Sequence, residues 1–107
     1  MEIINMTPHK LNIYNDLGTK EIMTLEPCGI VPRCKQENVI VANYGGVPIY
    51  DMQFGEVVDL PEKKPTIYLV VSRLVKTAIP ERDDLLCPGA LLRNDEGQPI
   101  GCIGLSR

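Results

Sequence analysis

Short apolar runs separated by proline, glycine and polar clusters predict strands along most of this 107-residue chain. In Lys10-Leu11-Asn12-Ile13-Tyr14 the polarity alternates, which places Leu11 and Ile13 on one side of a strand. Asn15-Asp16-Leu17-Gly18 then has turn chemistry, and Glu21 to Leu25 returns as the second arm of a hairpin. Beyond the break at Pro27-Cys28-Gly29, Ile30 to Gln36 reads as extended and Asn38 to Ala42 as a strand. Tyr44-Gly45-Gly46 is a turn, followed by two short strands at Val47 to Asp51 and Glu56 to Leu60. Pro61-Glu62-Lys63-Lys64-Pro65 is a polar connector.

Thr66 to Val71 is nearly continuous in β-branched and aromatic residues, as expected of a strand covered on both faces. The period then changes. Val71, Leu74, Val75, Ala78 and Ile79 recur at spacings of three and four, which predicts a short helix capped by Ser72 and ended by Pro80. Near the end, Asn94-Asp95-Glu96-Gly97 is a turn between strands at Ala90 to Arg93 and Pro99 to Leu105. The expected fold is therefore one domain over residues 1–107 of mainly β (α+β) class. It is a small mixed sheet or barrel, with one short helix after the strand at 66–71 and a C-terminal β-hairpin.

Composition narrows the function classes. The net charge is −3 and the cations are scattered, whereas duplex binding needs clustered cations that neutralise phosphates. Duplex nucleic acid is therefore not an expected partner. The start MEIINMTPHK lacks a basic leader, and the longest apolar run, Ile67 to Val71, is far too short to cross a bilayer. No membrane association is expected, and the cytoplasm is the expected compartment. Cys28, Cys34, Cys87 and Cys102 form no close pair, so neither a metal nor another cofactor is expected and all four are read as small buried hydrophobes. A chain this small leaves little room for an elaborate cleft, so a sizeable ligand points to a pocket shared within a homo-oligomer.

The residues able to hold a ligand are few. Ser72 and Arg73 mark a helix start, where unpaired N–H groups suit an anion; the ordinary alternative is a plain cap beside a solvated arginine. In Pro80-Glu81-Arg82-Asp83-Asp84, Arg82 can clamp a phosphate or carboxylate in bidentate fashion, and Asp83 and Asp84 are the acidic candidates. The alternative there is an Arg–Asp lock that holds a turn. His9 has no visible partner of the Ser/His/Asp or Cys/His kind, so contact with a ligand or a structural role fits it better than catalysis. Asn5, Thr7, Asn12 and Tyr68 can contact a base or sugar, and Arg33 and Arg93 can reach a pocket from strand ends. Each has an equally simple structural use in turns or at the surface.

Taken in order, TPHKLNIY, FGEVVDLP, TIYLVVSRLV, PERDDLLCPG and RNDEGQPIGCIGL resemble a family of small uncharacterised proteins of tailed phages and bacterial genomes. The resemblance runs from Asn5 to Leu105. It departs from the usual pattern at Val71, inserted into a plainer Tyr-Ile-Val-Ser run, and at Cys28 and Pro32. What it implies is a phage or prophage setting more than an activity.

Three function classes follow. The first is a non-enzymatic accessory binding protein that counters host defence by sequestering a nucleotide immune signal. Its ligand-binding candidates are His9, Asn12, Arg33, Tyr68, Ser72, Arg73, Arg82 and Asp83. The second is a protein–protein inhibitor of a host enzyme, or a minor phage structural protein, acting through an exposed apolar surface. The third is a nucleotide hydrolase or phosphodiesterase using His9 or the Asp83-Asp84 pair, and it is the least favoured.

Overall fold

The computed structural model describes residues 1–107. Eight strands and one helix follow in the order β1 (Glu2–Asn5), β2 (Leu11–Tyr14), β3 (Glu21–Leu25), β4 (Arg33–Tyr44), β5 (Val47–Val58), β6 (Ile67–Val70), α1 (Arg73–Ala78), β7 (Leu85–Arg93) and β8 (Pro99–Ser106). Six strands form a mixed sheet in the order β1-β6-β7-β8-β2-β3, and β4 pairs only with β5. The protein is mainly β, as the periodicity predicts.

β6 lies between two parallel neighbours, with Ile3 opposite Tyr68 on one side and Leu69 opposite Leu85 on the other. That central position explains its unbroken apolar sequence, because both of its faces are covered. Ser72 is extended and accepts a hydrogen bond at Oγ from the Val75 amide at 3.3 Å, which starts α1 where the change of period predicts it. Val75 is the buried residue of that helix and joins Met6, Cys34, Leu69, Val71 and Leu85 in the main core. The terminal hairpin closes through the Gly97 amide, which donates to the Asn94 carbonyl at 2.9 Å with Gly97 at φ 78°.

The sheet is nearly closed, and Asn5 makes the closure. The chain just beyond β3 returns to β1, where the Cys28 amide donates to the Asn5 carbonyl at 2.9 Å. The buried Asn5 side chain spans the same junction. Its Nδ2 donates to the carbonyls of His9 (2.8 Å) and Leu25 (3.0 Å), and its Oδ1 accepts from the Thr7 amide (2.9 Å) and hydroxyl (2.6 Å). Asn5→Ala removes all four bonds and strands their partners, so it is expected to lower stability by about 2–3 kcal/mol in urea unfolding.

β4 and β5 differ from expectation. Instead of separate short strands, two 12-residue strands form one continuous ribbon. Gly45 (φ 60°) and Gly46 (φ 86°) form the two-residue turn at its tip, the positive φ pair that matches the twist of a hairpin. Glu37 and residues 52–55 separate the expected strands in the sequence, yet beyond its base at Cys34 and Val57 the ribbon is open to solvent on both faces, where a polar residue or a glycine does not end the pairing. The chain consequently extends 55 × 40 × 23 Å, with a radius of gyration of 17.3 Å. A compact domain of this length has a radius near 13 Å. No helix is long and apolar enough to cross a membrane.

Three of the four thiols are buried, but Cys28 is exposed, contrary to the reading of all four as core residues. It follows the bridge at Pro27, where the chain leaves the sheet surface.

Candidate functional site

The cations and hydrogen-bonding residues singled out from the sequence fall into separate regions of the monomer. His9 and Asn12 line a hollow of about 340 Å³ with Pro88, Gly89 and Ile100, between β2 and the terminal hairpin. Arg33, at the base of the ribbon, lines a shallow depression with Ile30, Asp59 and Leu60. Ser72 is occupied as the helix cap, while Arg73 donates to the Ser106 hydroxyl (3.1 Å) and the Arg107 carbonyl (3.2 Å). Arg93 donates to the Gly97 carbonyl at 2.7 Å and so braces the terminal turn.

Arg82 is engaged within the chain. Its Nε donates to Asp84 Oδ1 at 2.7 Å and its Nη2 to Asp84 Oδ2 at 2.8 Å, a fork-to-fork pair. The same Nη2 donates to the Pro61 carbonyl at 3.0 Å and ties the connector down. Asp84 is buried, and the guanidinium hydrogen bonds hold its carboxyl below the usual carboxylate range against the opposing effect of burial. Asp83 is exposed and pairs with Lys63, whose hydrogen bond likewise lowers its carboxyl.

Tyr68 and Asp83 border the same hollow. Together with Lys63, Lys64, Thr66 and Arg107 they line this hollow of about 400 Å³ beside β6. Lys64 has no carboxylate partner. Thr66, on the rim, has φ 67°, a left-handed conformation unfavourable for a β-branched residue. Its carbonyl accepts from the Glu2 amide at 2.8 Å, which anchors the first residue of β1.

An apolar hollow of about 250 Å³ adjoins this one, lined by Ile4, Met6, Ile30 and Leu69 among others. The two share Lys64, Ile67 and Asp84 as wall residues. Side by side, they offer apolar surface for a planar ring and ammonium groups for an anion. No protein-family model, curated protein or solved structure matches the chain. Geometry therefore carries the functional reading.

The lysines were missed as site residues because Lys63-Lys64 between two prolines has the composition of an ordinary connector. The usable signal was their position a few residues before the apolar strand β6, which places them near a strand start beside the sheet.

Proposed function

We propose that this chain is a non-enzymatic accessory binding protein that retains a small phosphate-bearing ligand of nucleotide type. The observation that carries the reading is the pair of adjoining hollows, one apolar and one edged by Lys63 and Lys64. The apolar hollow suits a base packed against Ile4, Met6 and Leu69, with phosphate held near Lys64, which lines both hollows. With Asp84 neutralised by Arg82, and Asp83 by Lys63, the two carboxylates on the wall repel an anion less. Arg82 and Ser72 act as structural supports in this reading. His9, Asn12 and Arg33 reach the ligand only where a neighbouring subunit brings their surfaces to it.

The phage-like motifs imply a setting, and within that setting the reading takes the ligand to be a nucleotide signal of host defence, withheld by the protein in the host cytoplasm. Sequestration needs affinity without turnover, so no general base has to face the hollow. Titration calorimetry with a panel of mono-, di- and cyclic nucleotides tests the binding. At least one is expected to bind, and Lys64→Ala, an exposed substitution, is expected to weaken it about tenfold, the loss of one charge-assisted hydrogen bond. Equal affinity for the variant would remove the site from this hollow, and the absence of heat from every nucleotide would remove the ligand class.

A further inference from the structure

We infer that the β4–β5 ribbon is an assembly arm whose apolar face is covered by a second copy of this chain. Nine large apolar side chains on the ribbon are exposed, from Val39 to Phe54. Four of them form a patch on one face, while Val47 and Ile49 on β5, and Val39 opposite Asp51, lie on the other. β5 is regular from Val47 to Phe54, so Tyr50, Met52 and Phe54 share one face, and the pairing of Ile40 with Tyr50 adds Ile40 to it. The extra residue in β4 between Ile40 and Ala42 sets this register. Residues 38 to 50 contain no charged side chain. A charged partner surface therefore finds no complement on the outer half of the arm.

The area sets the scale of the missing contact. The chain exposes 7321 Å², whereas a compact monomer of 11.9 kDa exposes about 6,000 Å². The difference, roughly 1,300 Å² per chain, corresponds to about 2,600 Å² across a two-fold interface, within the range of permanent homodimers. Permanence also identifies the partner. A two-stranded ribbon open on both faces and both edges is at best marginally stable in water. It needs cover as soon as it folds, and another copy of the same chain is present wherever the chain is made. A two-fold contact also matches like with like, which an uncharged apolar face permits.

Sedimentation of the ligand-free full chain over about a hundredfold range of concentration tests this independently of nucleotide binding. The expected mass is twice 11.9 kDa. The double variant Tyr50→Lys/Phe54→Lys changes side chains that are about half exposed and lie outside the core in the monomer, and it is expected to sediment as the 11.9 kDa chain with its thermal transition retained. Amide exchange on the wild-type protein is the second measurement and does not depend on the variant folding. Amides across residues 33–58 are expected to be protected throughout the range in which the chain sediments as the dimer. A wild-type chain that stays monomeric throughout, or ribbon amides left unprotected in the dimer, would overturn the assignment. So would purification of a different protein seated on the ribbon of a monomeric chain.

Discussion

Arg82→Ala is expected to lower the stability of the fold by about 3 kcal/mol, because it leaves the Asp84 carboxylate buried without its partner. The position magnifies the loss. Asp84 immediately precedes β7, and its carbonyl accepts from the Leu69 amide at 2.9 Å, so the pair sits where β6 and β7 meet. Loss of the guanidinium also releases the Pro61 carbonyl, which frees the connector carrying Lys63 and Lys64. Loss of nucleotide affinity should therefore accompany loss of stability in this variant, whereas Lys64→Ala should change affinity alone.

The pH dependence has a definite sign. In the folded wild type the Asp84 carboxyl is held below its ordinary value, chiefly by the hydrogen bonds from Arg82. A depressed folded-state value contributes stability above the unfolded carboxylate value, near pH 4, and that contribution is lost as pH falls toward the folded value. Without Arg82, burial pushes the carboxyl up, and protonation removes the unpaired charge. The stability gap between wild type and Arg82→Ala is therefore expected to start narrowing above about pH 4, where the raised carboxyl of the variant takes up its proton, and to narrow further below about pH 4 as the wild type loses its own contribution, as measured by denaturant midpoints across pH.

The second large effect is expected at Gly89. A methyl group there would overlap the carbonyl oxygen of Ile103 and crowd that of Gly104, both of them backbone atoms of the paired strand β8. No side-chain rotamer relieves such a contact, so β7 and β8 must separate locally. Gly89→Ala is expected to lower stability by more than about 3 kcal/mol, in the range of severe overpacking, and to leave little soluble folded chain. Gly97→Ala is the control. It meets no neighbouring atom and carries only the strain of a positive φ, so its loss should be near 1 kcal/mol.

The parts of the fold that were legible in the sequence are those governed by local chemistry. Ser72, followed by apolar residues at helical spacing, marks α1, and the Asn94-to-Gly97 turn marks the terminal hairpin. β1 was not legible, because Glu2–Asn5 has four residues and takes its identity from parallel pairing with β6, distant in sequence. The closure at Asn5 was hidden for the same reason, since its side chain joins Thr7 and His9 to Leu25 across the ends of the sheet. Ribbon length was obscured by polar residues that break a half-buried strand pattern and are neutral on an exposed one.

The candidate site was less legible than the fold. Tyr68 and Asp83 were recognisable as residue types, and the structure brings them to one hollow. Arg82 has the side chain expected of a phosphate clamp, but Asp84 two residues later satisfies it within the chain. The composition of the segment could not distinguish these uses, because an arginine beside two aspartates serves either. What decides between them is the burial of Asp84, a consequence of the β6–β7 pairing.

The most direct test is ligand retention. The purified chain is incubated with extract from cells whose nucleotide-based defence has been triggered, washed and heat-denatured, and the released small molecules are identified by mass spectrometry. An intact nucleotide in the released fraction, depleted from the extract and diminished with Lys64→Ala, is the predicted result. A released fraction without nucleotide, while the signal persists in the extract, would contradict sequestration.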